Sequence, residues 1–416
     1  MSLMTVSPAH LTVDGRNLGV EGLVDVARNG RSTRLAASAR RDIVRTHCMV
    51  QDIVAGDRMV YGITTGFGGL SQSKISPDQV SRLQENLVRS HAAGVGSPMP
   101  TDVVRAMMLL QANKLAKGFS GVSEQVLDLL LNCLREGIHP IVPTHGSVGA
   151  SGDLVPLAHV ALVLIGEGEA EVDGEIVGSA QALEKRGLAP LKLGAKEGLS
   201  LVNGTEASTA MAALAIHDAE HILRTAIVAA AMSVEAMRGD LVPFDCRVQT
   251  VRPHPGQGRV AADLRRLMSG SELVGSNGST SFRVQDPYSI RCIPQVLGAS
   301  LDALDYCRRV VGIELNSTTD NPLLFSKDHD VVNGGNFHAQ PIALVMDFLK
   351  MAVSEVASIS ERRVFLLSDG NRSGLPPFLA HDPGLESGIM IVQNTAASIV
   401  AENKVLAHPA SIDSIP

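Results

Sequence analysis

Pro143-Thr144-His145-Gly146-Ser147-Val148-Gly149-Ala150-Ser151-Gly152-Asp153-Leu154-Val155-Pro156-Leu157-Ala158 is the stretch on which the reading of this chain turns. It is glycine-rich, nearly uncharged at its centre, and lies between two apolar runs of helical character. Glycines at 146, 149 and 152 allow the backbone to turn sharply and approach itself closely. By itself such a segment also reads as a plain glycine turn. Its central tripeptide, Ala150-Ser151-Gly152, has a further possibility. If the Gly152 nitrogen is pressed against the Ala150 carbonyl carbon, it can attack it. Loss of water then closes a five-membered ring, and a second dehydration turns Ser151 into an exocyclic alkene. Small residues at 150 and 152 leave that approach open. The product, a methylidene-imidazolone, is an electrophile that no ordinary side chain provides.

Gly146-Ser147-Val148-Gly149-Ala150-Ser151-Gly152-Asp153-Leu154 resembles the signature of the aromatic amino acid ammonia-lyases, most closely in the wording of histidine ammonia-lyases. The resemblance implies a 4-methylidene-imidazole-5-one formed autocatalytically from Ala150, Ser151 and Gly152, with no metal and no dissociable cofactor.

Composition narrows the fold independently. Hydrophobic residues make up 45% of the 416 residues, aromatics only 3%, and there is no Trp. The core must be built from Ala, Leu, Val, Ile and Met, which favours close-packed helices over sheets. A net charge of −7 with mixed signs and no basic stripe argues against a nucleic-acid partner. Five widely spaced cysteines without a Cys-x-x-Cys pair read as reduced thiols of a cytoplasmic protein. The N-terminus has no secretory pattern, and no apolar run is long enough to span a membrane.

Residues 11–20 suggest a short hairpin around Asp14-Gly15, and 34–54 a helix. Val60-Tyr61-Gly62-Ile63-Thr64-Thr65-Gly66-Phe67-Gly68-Gly69 is a glycine-broken loop holding one of three tyrosines. It resembles the family's tyrosine loop, which makes Tyr61 the candidate base. Ser76-Pro77-Asp78-Gln79 fits a capping box for the helix that follows. Val80, Leu83 and Leu87 mark its apolar stripe, which puts His91 on the inward face. A core histidine is the ordinary reading, but Ser90-His91-Ala92-Ala93-Gly94 resembles the form of histidine-specific members and implies contact with substrate. Helices are expected near 102–117, 124–136 and 154–165, with a hairpin at 170–177.

A very long, Ala-rich helix is expected over 206–238. Asn203 precedes it, either as a cap or, by resemblance, as an active-site asparagine. His217-Asp218-Ala219-Glu220-His221 matches a zinc-peptidase pattern. Its charged surroundings and the lack of another acidic ligand favour a polar helix face instead. Residues 239–285 look loose, with several Pro, Gly and Ser. In Val284-Gln285-Asp286-Pro287-Tyr288-Ser289-Ile290-Arg291-Cys292, Tyr288 and Arg291 are three apart and share a face of a helical turn. An arginine so placed suits a carboxylate. The block resembles the family's carboxylate-binding segment and implies orienting roles for Gln285 and Tyr288. Ile293 departs from the Gln found in many histidine ammonia-lyases. Further long helices are expected at 295–313, up to 366, and over 385–408. Gly335-Asn336-Phe337-His338 is also familial and implies Phe337 near the substrate ring.

The expected architecture is mainly α: a long antiparallel helix bundle with a smaller loop-rich N-terminal part and minor β hairpins. Residues 1–200 would carry the catalytic loops and the electrophile, and residues 201–416 the bundle. The implied reaction is deamination of L-histidine to trans-urocanate and ammonia. Tyrosine or phenylalanine ammonia-lyase or aminomutase is the sibling alternative, and an inactive scaffold is the reading of another class. The resemblance further implies a homotetramer with sites shared between subunits, acting on a small amino acid with no nucleic acid or membrane. Family members continue past the position of Pro416 with helices and a glutamate-bearing stretch, so a chain shortened on that side is expected.

Overall fold

The computed structural model describes residues 10–56, 58–276 and 284–413. The fold is mainly helical, with four small sheets among the described residues. The order begins with β1 (His10–Val13), α1 (Val20–Arg28), β2 (Ser32–Leu35) and α2 (Ala37–Ala55). The expected hairpin at 11–20 is not formed; β1 pairs in parallel with β2. The Asp14 carboxylate accepts the Arg16 and Asn17 N–H groups, closing an Asx turn that leads into α1. The buried Leu23, Val24 and Val26 of α1 then pack on α4.

Next come α3 (Val80–His91), β3 (Val95–Pro98), α4 (Thr101–Ala116), α5 (Glu124–Arg135), β4 (His139–Pro140) and β5 (Pro143–His145). They are followed by α6 (Leu154–Leu164), β6 (Glu169–Val172), β7 (Glu175–Gly178), α7 (Ser179–Lys185) and α8 (Glu197–Val202). The capping box at Ser76 does not form: Ser76 has no side-chain cap, and a 3-10 turn, Pro77–Gln79, leads into α3. The first core is built where α4 meets α1, α2 and α5, and where α3, α6 and α8 pack together. Met107, Leu109, Leu127 and Leu130 are sealed within it.

The remaining helices are α9 (Glu206–Ala236), α10 (Cys246–Thr250), α11 (Pro255–Leu267), α12 (Tyr288–Arg291) and α13 (Ile293–Glu314). After the hairpin β8 (Leu323–Phe325) and β9 (Asp330–Val332) come α14 (Gln340–Ser368), α15 (Gly370–Ser373) and α16 (Met390–Leu406). The stretch expected to be loose contains α10 and α11. Pro255 sits at the start of α11, where its missing N–H costs nothing, and Val260 and Leu264 are buried. The 277–283 part of that stretch lies outside the described residues.

The chain divides into two compact units, neither of them continuous in sequence. One comprises residues 1–215, 310–343 and 413–416; the other comprises 216–309 and 344–412. The boundary falls inside α9, α13 and α14, so each unit is assembled from segments distant in sequence. Within the second unit, Ser300 Oγ donates to the Ala352 carbonyl at 2.8 Å, tying α13 to α14. Arg308 pairs with Glu220 at 2.5 Å, tying α13 to α9. Among the described residues no helix is long and apolar enough to cross a membrane.

Leu127 is fully buried in α5. Leu127→Ala should cost about 2–5 kcal/mol of stability through lost burial and the cavity left behind. Urea unfolding tests this as a lowered midpoint; an unchanged midpoint would contradict the packing described.

Candidate active site

The 146–153 loop joins β5 to α6 and belongs to the first unit. It folds back on itself: the Gly152 N–H meets the Gly149 carbonyl at 3.3 Å, and residues 149 and 150 both bridge to 152. Gly152 has φ +78°, and a Cβ there would lie 2.5 Å from the Gly204 oxygen and 3.0 Å from the Phe337 oxygen. Only glycine fits. Ala150 is buried, whereas Ser151 is exposed beside it. The Ala339 N–H donates to the Gly149 carbonyl at 3.0 Å, and the Asp153 N–H donates to the Gly204 carbonyl at 2.7 Å. The loop is thereby held at both ends, by the Phe337–Ala339 segment and by Asn203-Gly204-Thr205.

Asp153 is fully buried, and its carboxylate accepts from Ser147 Oγ at 2.7 Å, Ser208 N at 2.7 Å and Ser208 Oγ at 2.8 Å. It thus caps the first turn of α9, where unpaired N–H groups and the helix dipole favour an acceptor. Burial pushes its pKa above the ordinary carboxylate range, against the pull of the Ser208 and Ser147 hydrogen bonds.

Asn203 ends α8 as its C-terminal cap residue. Its Nδ2 donates to Asp320 Oδ1 at 3.2 Å and to the Asn321 carbonyl at 3.3 Å. Asn321 also lines a cavity of about 490 Å³ with Tyr61, Met59, Thr65, Ser71, Gln72 and Asn333. The half-buried Tyr61 hydroxyl accepts the Gly68 N–H at 3.2 Å, and the cavity it lines is bounded on another side by Asn321, the partner of Asn203. Behind the tyrosine loop, Gln84 is fully buried. Its Nε2 donates to the Gly62 carbonyl at 3.2 Å, and its Oε1 accepts the Leu199 N–H at 2.9 Å. One amide therefore ties the Tyr61 loop to the helix that delivers Asn203.

His91 is half-buried at the end of α3, its Nδ1 against the Leu87 carbonyl at 2.9 Å. Phe337 is half-buried. Gln285, Tyr288 and Arg291 belong to the second unit. There the Arg291 guanidinium lies 4.6 Å from the centre of the exposed Tyr288 ring, so the two do share a face, as their spacing predicts. Arg291 Nε has no hydrogen-bond partner among the described residues. His217 and His221 stack edge-on at 4.6 Å. No cluster of three metal-capable side chains occurs among the described residues.

Residues 18–416 match the family described as aromatic amino acid lyase. The chain belongs to the aromatic amino acid lyase family. It is 50% identical over 406 residues to histidine ammonia-lyase of Caldanaerobacter subterraneus subsp. tengcongensis, which covers 98% of this chain and 80% of the relative. Among solved structures, histidine ammonia-lyase of Trypanosoma cruzi superposes with TM-score 0.90 at 39% identity, covering 98% of this chain and 76% of that one. Tyrosine aminomutase of Streptomyces globisporus gives TM-score 0.92 at 38% identity, covering 98% and 80%.

Several polar residues around the loop of this lyase went unread in its sequence: Gln84, Asp153, and the buried pairs Lys114–Glu206 at 3.0 Å and Lys196–Asp320 at 2.8 Å. A signal existed for some. Gln111, Asn113 and Lys114 interrupt the apolar C-terminal half of α4, and all three are buried. In this lyase Gly152→Ala should lower stability by more than about 1 kcal/mol, because φ is positive and two carbonyl oxygens stand in the way. A urea midpoint equal to that of the unsubstituted chain would show that the loop is not confined as described.

Proposed function

We propose that this carbon–nitrogen lyase removes ammonia from L-histidine to give trans-urocanate. Near-full-length similarity to histidine ammonia-lyases, together with the confinement of Gly152 between two carbonyl oxygens, carries this reading. The residues fit a methylidene-imidazolone. The loop is folded so that residues 150 and 152 bridge, Ala150 is small and buried, and the space at Gly152 excludes any side chain. Once formed, that group supplies an electrophilic alkene carbon.

The chain's own residues do the rest. Tyr61 takes the β-proton. A free tyrosine titrates near 10, so Tyr61 must be activated to act as a base at neutral pH. Arg291, whose guanidinium lies 4.6 Å from the centre of the Tyr288 ring, grips the substrate carboxylate. Asn203 has committed its amide nitrogen to Asp320 and Asn321, which leaves its oxygen to accept a hydrogen bond from substrate. Gln285 and Tyr288 orient the substrate, Phe337 lies near its ring, and His91 contacts the imidazole.

A homotetramer with sites shared between subunits is part of the same reading. What supports it is α16, a 17-residue helix without one buried residue, on which Ile391, Val392, Ile399, Val405 and Leu406 are exposed. Cytoplasmic residence is supported by five free cysteines.

With Ser151→Ala, deamination should fall by several orders of magnitude, because residue 151 no longer has a hydroxyl to eliminate. An ultraviolet assay of histidine, tyrosine and phenylalanine separates urocanate from coumarate and cinnamate by their different absorption. Near-normal turnover in the variant, or turnover of tyrosine or phenylalanine but not histidine, would refute the proposal. Tyr61→Phe should keep the fold and lose kcat far more than KM, since it removes a proton acceptor used only in the reaction.

A further inference from the structure

Two ion pairs lie fully buried behind the Asn203-Gly204-Thr205 segment, and the reaction as proposed gives them nothing to do. Lys114–Glu206 and Lys196–Asp320 have side chains no more than 4% exposed. Burial lowers the pKa of Lys196, and Asp320 opposes that fall. Burial also disfavours charge on Asp320, but the Lys196 and Lys114 ammonium groups outweigh it and hold its carboxyl below the ordinary range. Buried pairs of this kind rarely add stability over apolar residues of equal volume, because desolvation cancels the attraction. Their effect is better sought in position.

Their contacts converge on the two residues that flank Gly204. Lys114 Nζ donates to the Asn203 carbonyl at 2.7 Å and to the Ser200 carbonyl at 3.2 Å. Thr319 Oγ donates to Glu206 Oε1 at 3.0 Å. The same hydroxyl takes the Thr205 N–H at 3.4 Å. Among the described residues Glu206 Oε2 has no hydrogen-bond partner, and it lies against Gly204, where a Cβ would come within 2.2 Å of it. Lys196 bonds Ser200 Oγ at 2.9 Å, and Asp320 receives the Asn203 amide. Gly204 is thus gripped from both neighbours, and its oxygen both binds the Asp153 N–H and abuts Gly152.

We infer that the Lys114–Glu206 and Lys196–Asp320 pairs are positioning residues for ring closure, setting the Gly204 carbonyl that presses Gly152 toward Ala150. The inference rests on the proposed methylidene-imidazolone. In closure the Gly152 nitrogen bonds to the Ala150 carbonyl carbon. The carbonyl oxygen leaves as water with the N–H protons of Gly152 and Ser151. The Ser151 hydroxyl leaves with the Ser151 Cα hydrogen as the second water. No oxidant or other reactant is needed. A displaced Gly204 carbonyl would lengthen the approach, and a misplacement of about 1 Å slows a positioned reaction on the order of 100-fold.

The test is intact mass of the full chain beside far-ultraviolet circular dichroism. Lys114→Met/Glu206→Gln removes both charges of one pair and leaves no lone buried ion. Thr319→Val removes only the hydroxyl that links Glu206 to Thr205, and it decides the matter if the double variant does not fold. The unsubstituted chain should be lighter by two waters. The folded variants should be mostly at full mass, with the double variant the more affected, while their circular dichroism stays unchanged. Folded variants that carry the full two-water deficit would overturn the inference. An unsubstituted chain at full mass would instead refute the ring, and with it the proposed function.

Discussion

A single backbone hydrogen bond, from the Asp153 N–H to the Gly204 carbonyl at 2.7 Å, joins the two segments on which the site depends. One is a loop of small residues that could fold in many ways. The other is the start of a 31-residue helix, set by its length and packing. The bond passes the rigidity of the helix to the loop. Gly152, beside the contact, lets the two backbones approach to a distance that a side chain would forbid.

Around that bond the chain spends buried polar groups freely. Asp153 caps α9 from the loop side, while Glu206 and Lys114 meet beneath Gly204. Gln84 carries the same order outward to the Tyr61 loop. A buried amide or carboxylate without partners costs free energy, so each such group fixes the neighbours that satisfy it. A helical scaffold of Ala, Leu and Val has no directional contacts of its own. In the first unit direction is supplied by these polar groups, which explains why they gather at the loop rather than in the aliphatic core between α4 and α5.

The long helices read readily from sequence because their apolar runs are long and local. The expected 206–238 is observed as Glu206–Ala236, and 295–313 as Ile293–Glu314. The short elements read poorly. The Asp14-Gly15 signal suits a hairpin, yet the demand of α1 for burial carried the chain into a parallel pair. Ser76-Pro77-Asp78-Gln79 satisfies a capping pattern, but the 3-10 turn there left its hydroxyl unused. In both places a tertiary contact or a tighter turn outweighed a local preference of a kilocalorie or so.

The sequence by itself determined the class of fold, the family and the run of small residues around Ala150-Ser151-Gly152. Each is legible in the chain itself: apolar periodicity, scarcity of aromatics, and the small residues of 146–154. It also determined that Tyr288 and Arg291 share a face, since three residues make nearly one helical turn. What only the tertiary structure decided is which distant residues press on the loop. Lys114, Asp320 and Phe337 stand far from Gly152 in sequence, and nothing in their local patterns says which residues they meet. Their roles come from where α4, the turn after α13 and the segment before α14 converge. That convergence is the sum of many weak burial terms, and no single stretch of the chain encodes it.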